Sequence, residues 1–263
     1  MKICTLASSS KGNSILVFTD KTRILIDVGI TYSELSAKLE KLGFSCADIT
    51  AVVITHEHSD HIKGVGTLMR KNGTHVYVHA NGYEALLKRV GKVKEEDVVQ
   101  FFDQDFMIGD LVLTPFRLSH DASCCVGYSI TDGRNKMTMA TDLGVFTADL
   151  VQYFEGSKLV VLESNHDVEM LMHNEKYSFL LKNRILGKNG HLSNKTASQI
   201  VEKLAHMGVK QVVLAHLSEE NNTPEICYNE TYNYLASKGI QVGVHINIDI
   251  ADPYKIGTLY NLI

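Results

Sequence analysis

The segment Thr55-His56-Glu57-His58-Ser59-Asp60-His61 sets three imidazoles close to the Asp60 carboxylate, directly after the apolar run Ala51-Val52-Val53-Ile54. Donors gathered this densely at the end of a buried strand would be left without water or partners unless they share a cation, so the pattern points to metal chemistry. His56 and His58 are two residues apart and can point the same way from extended backbone to grip one ion. Asp60 and His61 lie further round the turn, on the way into a helix, and can serve a second ion. The competing reading is a solvated His-rich loop, which the preceding apolar strand disfavours.

The rest of a donor set is expected as isolated residues at other strand ends. Three fit: His120 in Leu118-Ser119-His120-Asp121, Asp142 in Ala140-Thr141-Asp142-Leu143-Gly144, and His216 in Val212-Val213-Leu214-Ala215-His216. Each follows an apolar or β-rich run, as His56 does.

The H-x-H-x-D-H run, followed in order by a lone His, an Asp and a last His, resembles the metallo-β-lactamase-fold superfamily, and the likeness spans nearly the whole chain. It implies that His56, His58 and His120 hold one metal, that Asp60, His61 and His216 hold a second, and that Asp142 bridges them. It also implies that Asp27, ending Ile24-Leu25-Ile26, supports these ligands from behind. The implied fold is α/β, an αββα four-layer sandwich of two mixed sheets flanked by helices. It narrows the reaction less, because one fold hosts many. Two divalent metal ions are expected, and nitrogen and oxygen donors without cysteine admit Zn, Mn or Fe. The His at position 58 departs from oxygen-reducing di-iron proteins, whose pattern carries a carboxylate there.

The elements that must position these residues read as strands alternating with amphipathic helices. Asp20-Lys21 and Asp132-Gly133 mark hairpin turns. Thr31 to Leu42 reads as a helix with Thr31 and Glu34 as a capping box, Leu35, Leu39 and Leu42 on one face, and Gly43 as the stop. Ser193 to Met207 and Thr223 to Lys238 read the same way. Ile24 to Gly29 resembles Met137 to Gly144, and Val52 to His56 resembles Val212 to His216, as if two related halves met at a shared seam.

The 263 residues include 44% hydrophobic residues and 3 Pro, and no linker or low-complexity tract, so one domain over 1–263 with a sizeable core is expected. No run of about 18 apolar residues is present to cross a bilayer, and Met1 to Leu6 enters a strand pattern without a leader sequence, so the expected location is cytoplasmic, with no membrane partner. Five cysteines without a C-x-x-C spacing argue against a disulfide framework, and Cys124-Cys125 reads as half-buried strand. The net charge of −4 excludes the broad attraction of a basic nucleic-acid-binding domain, so a phosphodiester would have to be drawn by local charge.

A dinuclear site can make hydroxide from water near neutral pH and clamp the oxygens of the attacked group, chemistry equally suited to a lactam, a thioester or a phosphodiester. The leaving group separates them. An alkoxide needs a proton, which calls for a positioned His with a carboxylate to orient it. Glu163, ending Leu159-Val160-Val161-Leu162, and His191, in Asn189-Gly190-His191-Leu192-Ser193-Asn194, meet that need and join Asp60 as candidate catalytic residues. A comparable Glu and Gly-His pair serves the phosphodiesterase branches of the superfamily, including the tRNA 3′-processing nucleases.

A closer resemblance is to the YycJ/WalJ group, through Ala7-Ser8-Ser9-Ser10-Lys11-Gly12-Asn13-Ser14, the run from His56 to Gly64, Glu163 to Asp167, and Arg184-Ile185-Leu186-Gly187 leading to Gly190-His191. This likeness implies a 5′-to-3′ DNA exonuclease with a part in DNA repair or cell-wall regulation. The alternatives are a thioester or other small-molecule hydrolase, and a metal-containing regulatory protein. Candidate substrate contacts are Ser9, Ser10, Lys11 and Asn13 in a Ser/Gly-rich loop, together with Asn165, His166 and Arg184; Lys63 and Lys195 are further candidate phosphate contacts. His75 and His79 read as surface residues.

Overall fold

The computed structural model describes residues 1–262. Its strands are β1 (Lys2–Ser9), β2 (Gly12–Phe18), β3 (Arg23–Ile26), β4 (Ala51–Val53), β5 (His75–His79), β6 (Val98–Phe101), β7 (Phe106–Ile108), β8 (Leu111–Arg117), β9 (Val126–Thr131), β10 (Lys136–Ala140), β11 (Leu159–Glu163), β12 (Gln211–Ala215), β13 (Asn247–Ile250) and β14 (Tyr260–Asn261). Its helices are α1 (Tyr32–Lys41), α2 (Ser59–Ile62), α3 (Val65–Asn72), α4 (Tyr83–Val90), α5 (Val151–Phe154), α6 (Val168–His173), α7 (Phe179–Leu186), α8 (Asn194–His206) and α9 (Pro224–Ser237).

The strands form two seven-stranded sheets, in the orders β14-β1-β2-β3-β4-β5-β6 and β13-β12-β11-β10-β9-β8-β7. Both are buried on two faces, and the period-2 pattern of each strand divides its side chains between two cores. Along β3, Ile24 and Ile26 point between the sheets while Leu25 points at the helices. The inner core sets Ile15, Val17 and Val53 of one sheet against Tyr128, Met139 and Val161 of the other. Helices α1, α3 and α4 cover the first sheet through Leu35, Leu39, Leu68 and Leu86, and α5, α8 and α9 cover the second through Phe154, Val201, Leu204 and Leu235. This is the expected αββα arrangement.

The three anticipated helices form where their caps place them. In α1, the Thr31 hydroxyl accepts from Glu34 N at 3.3 Å and the Glu34 carboxylate accepts from Thr31 N at 2.8 Å, satisfying two backbone donors that the helix itself cannot. Ser193 and Thr223 cap α8 and α9 one way only, their hydroxyls accepting from Thr196 N and Ile226 N, with Pro224 in the first turn of α9, where a missing N–H costs nothing.

The two halves share a topology. In each, two antiparallel pairings lead into parallel strands: β1 to β6 in one sheet, β8 to β13 in the other. The repeat seen in the sequence is half right. Strand β3 corresponds to β10, but β4 corresponds to β11 rather than to β12, so the likeness of Val52–His56 to Val212–His216 is one strand out of place. Short runs of β-branched residues resemble each other whatever their position.

Three further expectations need correction. Ser8 to Ser14 is not a loop: β1 runs through Ser9 and β2 begins at Gly12, leaving Ser10 and Lys11 as a two-residue turn. His79 is buried rather than a surface residue, because β5 ends against Phe101 and Arg117; His75, at the open start of the strand, is exposed. Cys124 and Cys125 are fully enclosed and precede β9 instead of lying within it.

Candidate metal centre

The candidate ligands collect at the carboxyl ends of β3, β4, β10, β11 and β12, along the seam where the two sheets meet. Strand β4 delivers His56, the N-terminus of α2 carries His58, Asp60 and His61, and His120 follows β8. Asp142 and His216 follow β10 and β12. Asp27, Asp142 and His216 all have left-handed backbones, with φ of 60°, 63° and 58°. They are the non-glycine residues with that conformation among the described residues. Such a conformation persists only where surrounding contacts impose it, and it clusters at functional sites. At His216 the contact is direct, since its N–H donates to the Ser8 hydroxyl at 2.8 Å.

Donor atoms of His56, His58 and His120 form one cluster, and those of Asp60, His61 and His216 form another; within each they lie within 4.8 Å of one another. Asp142 stands between them: Oδ2 is 3.2 Å from His61 Nε2, and Oδ1 is 3.7 Å from His120 Nε2 and 3.6 Å from His216 Nε2. The structure therefore brings together all seven residues named from the sequence.

Hydrogen bonds behind the rings decide which nitrogen each offers. Asp27 Oδ2 takes the Nδ1 proton of His61 at 2.7 Å, and its two oxygens also accept from Thr55 N and Thr55 Oγ1 at 2.8 and 2.7 Å. With its proton directed at Asp27, Thr55 Oγ1 accepts from His56 Nδ1 at 3.0 Å. His120 Nδ1 lies 3.3 Å from the Gly190 carbonyl, and His216 Nδ1 donates to Glu163 Oε1 at 2.9 Å. Each of these four rings thus turns Nε2 toward the seam, whereas His58 places Nδ1 there, 3.4 Å from His120 Nε2; either nitrogen can serve a metal.

Polar atoms left over show that a cation fits. His56 Nε2, His216 Nε2 and Asp142 Oδ2 are buried without a hydrogen-bond partner, a cost that a shared ion would remove. The charges agree. Burial works against the Asp142 carboxylate, but His216 and His61 outweigh it and hold its pKa well below the usual range. Burial likewise opposes the His61 imidazolium, yet Asp142, Asp60 and Asp27 together raise its pKa well above the ordinary value. Burial dominates at His56 and keeps that ring neutral, the form that binds metal. The seam calls for positive charge, which a divalent cation supplies.

Glu163, fully buried at the end of β11, organises the neighbouring wall. Oε1 accepts from His191 Nδ1 at 2.8 Å as well as from His216 Nδ1, and Oε2 accepts from Leu192 N at 2.8 Å. It also receives the backbone N–H groups of Asp142 and Leu143. Burial works against a charged His191, but Glu163 outweighs it and raises its pKa. Gly190 lets the loop seat here: a Cβ would stand 2.0 Å from Ile185 O. Gly29 does the same at the metal loop, where a Cβ would strike Asp60 O at 1.6 Å.

His191 lines a cavity of about 400 Å³ with Ser10, Asn165, Tyr177, Arg184 and Ser218. Of the candidate substrate contacts, Ser10, Asn165 and Arg184 therefore face this space; Arg184 is paired there with Asp121. Ser9 and Asn13 are instead buried: the Asn13 amide binds Ser9 N and O and approaches His61 Nε2 at 3.2 Å, bracing the metal loop. Lys11 is exposed and paired with Glu219. His166 is enclosed with both ring nitrogens unpartnered, and burial brings its pKa down to about 4. Lys63 and Lys195 are exposed. The sequence reading missed Thr55, Ser8, Tyr177 and Ser218. Thr55 and Ser8 lay inside segments already singled out; Tyr177 and Ser218 carry no local signal, because only tertiary convergence gives them a role.

Residues 22–217 match the family model of the β-lactamase superfamily domain. The chain is 33% identical to the exodeoxyribonuclease YycJ of Bacillus anthracis over 94% of both chains, and 33% identical to the exodeoxyribonuclease WalJ of Streptococcus pneumoniae over 96% of this chain and 94% of that one. Among solved structures it resembles the metallo-β-lactamase-fold protein YhfI from Bacillus subtilis, with a TM-score of 0.71 and 18% identity over 98% of each chain. It also resembles the short form of human tRNase Z, with a TM-score of 0.65 and 14% identity over 99% of this chain and 100% of that one. The last two likenesses concern the fold alone. With a matching family model, a shared architecture and relatives aligned over almost their full length, the chain belongs to the metallo-β-lactamase-fold superfamily, in the YycJ/WalJ group.

Proposed function

We propose that this metal-dependent hydrolase is a phosphodiesterase acting on DNA, most specifically a 5′-to-3′ exonuclease, with two divalent ions held by His56, His58, His120, Asp60, His61, His216 and the shared Asp142. The observation that carries the reading is the Glu163–His191 pair, hydrogen-bonded at 2.8 Å beside the donor cluster. A thiolate leaves without a proton, so a thioester hydrolase has little use for this device, whereas a sugar alkoxide needs one. The names of the YycJ and WalJ relatives support the same substrate.

Bound in this seam, divalent ions would supply Lewis-acid activation of water and neutralise charge on the attacked phosphate. The remaining work falls to the chain. Asp27 and Thr55 hold His61 and His56 in their ligating tautomers. Glu163 fixes His191 through Nδ1 and favours its protonated form, leaving the Nε2 proton for the departing oxygen. The cavity beside His191, with Tyr177 and Arg184 on its wall, receives the nucleotide next to the scissile bond.

The test is turnover of a DNA oligonucleotide against a thioester by Mn- or Zn-loaded protein, with His191→Ala in parallel. Loss of about 10²- to 10⁴-fold on DNA is expected of the variant. Thioester cleavage that exceeds DNA cleavage and is indifferent to His191→Ala would sink the proposal.

A further inference from the structure

On the other side of the turn formed by Ser10 and Lys11 lies a second cavity, of about 430 Å³. Ser10 lines the His191 cavity, whereas Ser9, Lys11 and Gly12 line this one, so the β1–β2 hairpin tip divides the two. Four lysines meet at its rim: Lys11 from the turn, Lys38 and Lys41 from α1, and Lys63 from the segment just past α2. Lys38 and Lys41 are three apart on α1 and so lie on neighbouring positions of the helix surface, Lys38 half-buried on the flank of the Leu35–Leu39 stripe and Lys41 exposed.

Cations in the last turn of a helix also suit its dipole, which accounts for Lys38 and Lys41 by themselves. It does not account for Lys63 and Lys11, which arrive at the same cleft from two other elements. Three carboxylates border the lysines and offset part of their charge. Glu34 lines the cleft, but its carboxylate is held by Thr31 N and Oγ1 at 2.8 and 2.6 Å, and Glu219 is taken by Lys11 and by Tyr254. Asp252 faces Lys38 from the C-terminal segment and caps Tyr254 N and Lys255 N. Lys38 itself donates to the Tyr254 carbonyl. Burial lowers its pKa, an unfavourable state that a bound anion would relieve.

In a chain of net charge −4 this concentration of lysine is local and placed beside the catalytic seam. Gly12 borders the cleft and Asn13, next in sequence, touches Asp60 and His61; Lys63 follows His61 by two residues. We infer that this lysine cleft seats the phosphodiester backbone of the DNA strand beyond the scissile bond, so that the strand crosses the metal seam between the His191 cavity on one side of the hairpin tip and the lysines on the other. The assignment rests on the nuclease reading. It makes the substrate a polynucleotide: a mononucleotide diester would fill the His191 cavity and leave the lysines empty.

The experiment uses the full chain loaded with Mn, comparing wild type, Lys38→Ala/Lys41→Ala and Lys38→Arg/Lys41→Arg. Fluorescence anisotropy with a labelled single-stranded oligonucleotide gives affinity as a function of NaCl, and steady-state kinetics on the same oligonucleotide and on bis(p-nitrophenyl) phosphate give KM and kcat. For the alanine pair, the slope of log affinity against log salt should flatten by about 1, and KM for DNA should rise at least about five-fold more than KM for the small diester. The arginine pair should restore both, since charge is what the backbone reads. DNA cleavage with KM and salt slope unchanged in the alanine pair overturns the cleft assignment and leaves the nuclease reading standing. Hydrolysis of the small diester by wild type that neither binds nor cuts DNA overturns both.

Discussion

Strands β3 and β10 hold the same place in their two sheets, and each leads into an aspartate in left-handed conformation, Asp27 and Asp142. Their tasks differ. Asp142 in the second half aims its oxygens into the seam, toward His61, His120 and His216. Asp27 in the first half faces the protein and holds His61 and Thr55. The next strands diverge in the same way: β4 leads into the His-rich loop, whereas β11 ends in Glu163, which orients His191 and His216. At the third position His216 after β12 enters the site, while His79 at the end of β5 binds Arg117 and Asp103 instead. A repeated framework thus supplies equivalent strand ends, and the side chain placed on each decides whether it joins the donor cluster, orients a member of it, or only holds the fold.

The two aspartates differ most, and substitution separates them. Asp142→Asn should remove hydrolysis of a phosphodiester below detection and lower metal content, measured by elemental analysis of the dialysed protein, because the Asp142 carboxylate reaches toward both donor clusters. A variant that keeps two ions and full activity would show that Asp142 and Asp27 are not distinguished as claimed. Glu163→Gln comes next, with kcat falling about 10²- to 10⁴-fold. Without the carboxylate, burial prevails at His191 and lowers its pKa, so the alkaline limb of the rate profile should move to lower pH. Because Glu163 and His191 act as one unit, the double variant with His191→Ala should be little worse than either single change.

Asp27→Asn tests the supporting role and should weaken metal affinity by about 10- to 100-fold while leaving the loaded protein active, as expected of a residue that orients ligands without touching the ion. A competition titration with a chromophoric chelator reads this directly. His79→Ala sits at the small end: metal content should be unchanged, with about 1–2 kcal/mol of stability lost in urea unfolding through its broken hydrogen bonds. Loss of metal from that variant would place the end of β5 within the site after all.

The donor run from His56 to His61 could be read from the sequence because metal chemistry demands many ligands in little space, and the helix α1 because its capping residues lie three apart. The correspondence between halves was only half legible: β-branched runs look alike, and which strand pairs with which depends on contacts far along the chain. Asn13 illustrates a second limit, since a polar residue in a Ser/Gly-rich segment gives no sign of whether it meets solvent or braces a buried loop. Glu163 could be tied to His191 by its chemistry, but its simultaneous hold on His216 requires β11 and β12 to lie side by side.

The most direct test is digestion of duplex DNA labelled separately at its 5′ and 3′ ends by Mn- or Zn-loaded protein, with His58→Ala and His191→Ala alongside. Wild type should release mononucleotides from the 5′ end, and both variants should lose this activity while remaining folded. Intact DNA in the presence of folded, metal-loaded wild-type protein would contradict the nuclease proposal.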